Sequence, residues 1–116
     1  MLLTLLKSKI TPATVTETQL EYEGSITIDA DVAEAANLIA NEQVHVLNLN
    51  NGARVITYVI MGERGSGVIC LNGPAARTGL VGDRVTILSY AHLAEEEMAG
   101  WKHTLVRVDD RNRVRT

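Results

Sequence analysis

Two runs rich in Val, Ile and Leu, 43–49 and 53–61, are separated only by Asn50, Asn51 and Gly52. Asn and Gly tolerate the positive φ of a tight turn, so the segment predicts a β-hairpin. A lone hairpin is marginal in water and needs further strands to cover its apolar face. The rest of the chain supplies them: runs at 2–10, 13–19, 25–28, 68–71, 83–90 and 104–108 are punctuated by Gly, Asn and Pro, the pattern of a compact barrel or sandwich. Pro12 is expected to break the first stretch, because it cannot donate a ladder hydrogen bond. One helix stands out. Asp31 with Glu34 three residues on makes a capping pattern, Val32, Ala35, Ala36 and Ile39 recur at helical spacing, and Asn41 is a stop. Short helical turns are expected at 74–78 and 94–98, and the charged 109–116 reads as a frayed, flexible tail.

With 116 residues, 46% of them apolar and 22% charged, the chain can bury one core and is too short for two domains, so 1–116 is read as a single domain. No stretch approaches the ~20 apolar residues that a membrane-spanning helix needs. A net charge of -3 argues against a nucleic-acid partner. Arg107, Arg111, Arg113 and Arg115 do not reverse this, since Asp109 and Asp110 interrupt them and no aromatic residues interleave for base stacking. The single Cys70 forms no intrachain disulfide and reads as a buried thiol; together with the lack of a recognisable leader, this predicts a reduced, cytoplasmic protein. His45, His92 and His103 lack the short spacings of metal sites, so no metal is expected. The Gly-rich 62–67 has no following Lys-Ser or Lys-Thr and reads as a turn rather than a phosphate loop.

The remaining polar residues gain meaning as a set. Lys9 interrupts an apolar run, and Arg54 and Tyr58 lie four apart on a predicted strand, hence on one face. Taken singly, these are an exposed cation and a packing tyrosine, and Gly24-Ser25 is a turn. In order along the chain stand Lys9, Tyr22-Glu23-Gly24-Ser25, Asn51-Gly52 with Arg54 and Thr57-Tyr58, Glu63-Arg64-Gly65-Ser66, Asn72-Gly73 with Ala75-Ala76, and Gly82-Asp83. This arrangement closely resembles the bacterial aspartate decarboxylases over nearly the whole length. The resemblance implies a mainly β fold, a small six-stranded double-psi β-barrel with short helices. It further implies a homotetramer with active sites at subunit interfaces that makes β-alanine and CO2 from L-aspartate for pantothenate synthesis. Members of that family cut themselves at this Gly-Ser step, and the resemblance leaves open whether a maturation factor assists. Carried over, the cut falls between Gly24 and Ser25, giving 1–24 and 25–116, and Ser25 becomes a covalent pyruvoyl group.

The chemistry makes sense of the residues. Loss of CO2 leaves a carbanion, and no unmodified side chain is an electron sink; a ketoacyl group joined to the substrate amine as a Schiff base is one. Making it requires the Ser25 hydroxyl to attack the Gly24 carbonyl, a position with no Cβ to obstruct the approach. The resemblance assigns Thr57 to that self-cleavage, Tyr58 to protonation of the carbanion, and Lys9 and Arg54 to the two substrate carboxylates. Asn72 is implied to position the reacting group, with Tyr22, Gly73, Pro74 and Ala75 lining the pocket. Thr57 and Tyr58 are adjacent and face opposite sides of an ideal strand, which calls for a bulge or a site shared between subunits. Two positions depart from the family: Thr11 where many members have His, and Leu47 where they have an aromatic residue. The stretch from about Trp101 onward matches least. The alternatives are a non-catalytic β-barrel binding or oligomerisation module, and a pyruvoyl enzyme for another amino acid, against which two cations favour a dicarboxylic substrate.

Overall fold

The computed structural model describes residues 1–115 and is mainly β. Its strands are β1 (Leu2–Thr14), β2 (Glu17–Gln19), β3 (Ser25–Asp29), β4 (Gln43–Asn48), β5 (Arg54–Gly62), β6 (Ile69–Asn72), β7 (Arg84–Ala94) and β8 (Thr104–Arg107). Helix is confined to α1 (Ala30–Ala35), α2 (Glu95–Met98) and a 3-10 turn at Gly73–Arg77. The hydrogen-bonded order is β2-β6-β3-β5-β4-β7-β1-β8. β1 and β2 thus stand near opposite ends of this order, yet only Val15 and Thr16 separate them in the chain. A link that short spans only about 10 Å. The sheet therefore curls until its ends approach, and the stitches are visible: Val15 N–H donates to Asp83 O at 2.9 Å and Thr16 N–H to Ile69 O at 2.8 Å. Six strands, β6 through β1, make the wall, and the short β2 and β8 lie at its edges.

Alternation decides which side of this wall is dry. Ile10, Ile26, Ile28, Val44, Val59, Ile69 and Val85 are fully buried, each contributing about 1.5–3 kcal/mol by leaving water. The β4–β5 hairpin forms where the sequence placed it, with pairs from Gln43↔Tyr58 to Leu47↔Arg54 and Gly52 at φ 76. Asn48 closes the turn, its Oδ1 accepting from Asn50 N at 2.7 Å.

Three expectations are corrected. Pro12 does not end the first strand: the β1–β7 register shifts between Ile10 and Ala13, so Pro12 sits where no ladder donor is required. The helix starts earlier and is shorter than 31–39, capped by Asp29 rather than Asp31. Asp29 Oδ1 accepts from Asp31 N at 2.8 Å, and Asn37 at φ 59 turns the chain away, leaving Ile39 exposed. The same carboxylate accepts from Gly65 N at 3.0 Å and Gly67 N at 2.8 Å, so it ties the helix to the glycine-rich turn. Burial alone would raise its pKa, but the Gly67, Asp31 and Gly65 amides and the charge of Arg113 outweigh that and hold it below the usual carboxylate value. As far as Arg115, the C-terminal segment is docked rather than frayed. Asn112 is buried, its Oδ1 accepting from Thr14 N and its Nδ2 donating to Thr14 O and Gly67 O, all at 2.8 Å.

Candidate active site

Ser25 opens β3, and the ladders on either side fix its surroundings. On one side β6 runs antiparallel with the pairs Ser25↔Asn72 and Thr27↔Cys70; on the other β5 runs parallel, with Ile26↔Val59. Ile26 and Ile28 point into the core, so Ser25 and Thr27 occupy the opposite face. Ser25 is nonetheless 0% exposed and Asn72 3%. The Asn72 Nδ2 donates to Ser25 Oγ and to Thr27 Oγ1, both at 2.9 Å, satisfying polar atoms that burial would otherwise leave costly. The Cys70 thiol donates to Asn72 Oδ1 at 3.2 Å. Burial, followed by the nearby charge of Glu17, pushes the Cys70 pKa up, so the group stays a thiol.

The loop before Ser25 meets the start of the 3-10 turn. Gly73 sits at φ 62, and a side chain there would collide with Tyr22 O and Gly24 N. Gly24 in turn faces Pro74, whose Cδ lies 3.4 Å from where a Cβ would be. Tyr22, Gly24, Ser25, Asn72, Gly73 and Pro74, scattered over fifty residues of sequence, are thus one cluster, while Ala75 packs into the apolar core behind it. We expect Gly73→Ala to lower stability by about 1–3 kcal/mol through its backbone conformation, and further through the collision. Urea unfolding would show this against Gly100→Ala, at φ 76 with nothing within 4 Å, which should lose less.

Of the other predicted residues, Lys9, Arg54 and Tyr58 lie along the outer face and Thr57 does not. Continuing the parallel β3–β5 ladder one rung back from Ile26↔Val59 sets Tyr58 level with Ser25. Arg54 and Tyr58 share a face of β5, as their spacing requires, and Thr57 falls on the face of its partner Val44, which is buried. No register shift separates Thr57 from Tyr58, so there is no bulge and within one chain they face opposite ways. Arg54 Nη1 lies 3.2 Å from His45 Nδ1, and the His45 ring meets Tyr90 edge-on at 5.0 Å. Lys9 stands three strands from β5, in the rung Lys9, Leu88, His45, Ile56. Among the described residues no hydrogen bond joins Lys9 or Arg54 to the Ser25–Asn72 cluster. A cavity of about 150 Å3 opens beside His45, lined also by Thr4, Gln43, Tyr90 and His92, and none of the predicted site residues lines it. Sequence reading missed Thr27 as a partner of Asn72, although its place two residues after Ser25 was the available signal.

Fold and site together define a small, mainly β barrel-type protein with a buried serine hydroxyl at the head of one strand, directly after a glycine. The family model described as aspartate decarboxylase matches residues 1–115, and the chain belongs to that family. It is 55% identical to aspartate 1-decarboxylase of Albidiferax ferrireducens, over 98% of this chain and 84% of that protein. It is 57% identical to aspartate 1-decarboxylase of Pelotomaculum thermopropionicum, over 98% of this chain and 86% of the relative. A computationally designed protein, msDPBB_sym2, superimposes with a TM-score of 0.48 at 15% identity, covering 75% of this chain and 99% of the design.

Proposed function

We propose that the chain cleaves itself between Gly24 and Ser25 and then, with a pyruvoyl group made from Ser25, decarboxylates L-aspartate to β-alanine. One observation carries the reading: the Ser25 hydroxyl is buried beside the Gly24–Ser25 peptide bond and held by Asn72, in a chain at least half identical to aspartate 1-decarboxylases. The atoms exchanged in self-cleavage come from this chain and one water molecule. Ser25 Oγ bonds to the Gly24 carbonyl carbon, the C–N bond breaks, and the freed nitrogen takes the hydroxyl proton. Loss of the Ser25 α-proton then expels the Gly24 carboxylate, and water replaces the nitrogen, which leaves as ammonia. Thr57 is assigned the oxyanion of the first step, which needs a donor.

The glycine-lined wall at Gly24 and Gly73 and the Asn72 donor fit a small ketoacyl group made from Ser25. When formed, that group supplies the electron sink for the carbanion left by CO2 loss. Lys9 and Arg54 hold the two substrate carboxylates, the guanidinium by a two-pronged contact and the ammonium as a point charge. Tyr58 holds the proton for the carbanion on its hydroxyl. Tyr22 and the backbone of Gly73, Pro74 and Ala75 wall the pocket. The proposal includes a homotetramer with sites shared between subunits. Its support is that among the described residues neither Lys9 nor Thr57 hydrogen-bonds to Ser25 and that the rung carrying Lys9 ends in exposed Leu105 and Ile56, apolar surface for a second copy to cover. A cytoplasmic role supplying β-alanine for pantothenate, and help from a maturation factor, belong to the same reading.

Intact mass spectrometry of the denatured protein tests it. We expect fragments 1–24 and 25–116, the larger lighter by one ammonia than a chain beginning with Ser25, and β-alanine from aspartate. A chain that stays whole after heating and after incubation in cell extract would overturn it. Arg54→Ala should cleave normally yet raise KM for aspartate roughly 10- to 100-fold, the loss of charged hydrogen bonds worth about 1.5–3 kcal/mol. Steady-state kinetics on the cleaved protein reads this, and an unchanged KM would remove Arg54 from the substrate.

A further inference from the structure

We infer that Cys70 is a positioning residue for Ser25: its thiol fixes which end of the Asn72 carboxamide faces the nucleophile. The inference rests on the proposed self-cleavage and concerns a residue outside the set assigned above. The β3–β6 ladder sets two neighbouring cross-strand pairs, Ser25↔Asn72 and Thr27↔Cys70, on one face, and Asn72 hydrogen-bonds to each of the other three side chains. All but Thr27 are buried, which leaves Asn72 few choices of partner.

The ends of a carboxamide are nearly the same shape, and its orientation is decided by what surrounds it. Ser25 Oγ and Thr27 Oγ1 do not decide it, because a hydroxyl donates or accepts with equal ease. Cys70 does: its S–H donates to Asn72 Oδ1 at 3.2 Å, whereas a reversed carboxamide would turn its two N–H hydrogens toward sulfur, a single weak acceptor. Both Asn72 Nδ2 hydrogens then point at Ser25 Oγ and Thr27 Oγ1, each at 2.9 Å, and the carboxamide is fully used. Ser25 Oγ accepts in this arrangement, so its own proton is free to leave as the oxygen attacks the Gly24 carbonyl. With the carboxamide reversed, Ser25 would donate that proton to Asn72 Oδ1 and be held back by it.

The contribution of the thiol is a donor at the correct place, and this separates it from packing. Cys70→Val fills the site without a donor, and Cys70→Ser keeps a donor in a slightly smaller side chain. After a pulse of expression, the fraction of intact chain is followed by mass spectrometry in the wild type and both variants, with thermal unfolding of each as a control for folding. We expect Cys70→Val to slow appearance of the two fragments roughly 3- to 10-fold, the range for loss of one hydrogen bond, and Cys70→Ser to stay within about twofold of wild type. If Cys70→Val cleaves at the wild-type rate, or both variants slow together in step with their unfolding temperatures, Cys70 only packs and the inference fails while self-cleavage stands. If the wild type itself gives no fragments, self-cleavage fails and takes the inference with it.

Discussion

Ser25→Ala is expected to give a single full-length chain with no decarboxylase activity, the largest effect of any one substitution here. A methyl group has no lone pair to place on the Gly24 carbonyl carbon, so neither the break at Gly24 nor the ketoacyl group can follow. The fold should survive. Ser25 holds its place through the β3 ladders, which are backbone bonds, and Asn72 keeps Thr27 and Cys70 as partners when Ser25 Oγ is gone. The remaining cost is one Asn72 N–H left without an acceptor, about 1–3 kcal/mol, which denaturant unfolding should resolve. Intact mass spectrometry decides the matter: two fragments meeting at residues 24 and 25 in this variant would remove Ser25 from the mechanism.

Why the sequence revealed some of this and hid the rest follows from the range of the forces. The β4–β5 hairpin was legible because Asn50, Asn51 and Gly52 solve a purely local problem, a turn at positive φ between two apolar runs. Pro12 misled for the complementary reason. It does remove a ladder donor, but whether that ends a strand depends on the distant β7, whose register slips at this place. Asp29 was passed over as a cap because its other partners, Gly65 and Gly67, arrive from more than thirty residues away. Asn112 was hidden inside a charged segment, since net composition says nothing about one carboxamide that reaches Thr14 and Gly67.

The candidate site divides the same way. Gly24 and Ser25 were visible as a motif, and Asn72-Gly73 as another, yet only the β3–β6 register sets them against each other. Thr57 and Tyr58 face opposite ways, as strand parity alone predicts, and the β4–β5 ladder has no bulge between them. The place of Lys9, three strands from β5, depends on strand order, which no local pattern carries.

Tyr58→Phe should separate maturation from turnover. Only the hydroxyl oxygen is lost, and the ring keeps its place on β5, so the β3–β5 ladder that carries Ile26↔Val59 is undisturbed. In the proposed mechanism self-cleavage draws on Ser25, Gly24, Asn72 and Thr57, and the two fragments should therefore appear as in the wild type. Turnover should not recover. A positioned proton donor is worth roughly 10²- to 10⁴-fold in rate, and kcat for aspartate should fall by that amount with KM little changed, because the proposal assigns the carboxylates to Lys9 and Arg54. The combination of normal fragments with lost turnover is the informative result, since misfolding would depress both. A Tyr58→Phe protein with undiminished kcat would show that the carbanion takes its proton elsewhere.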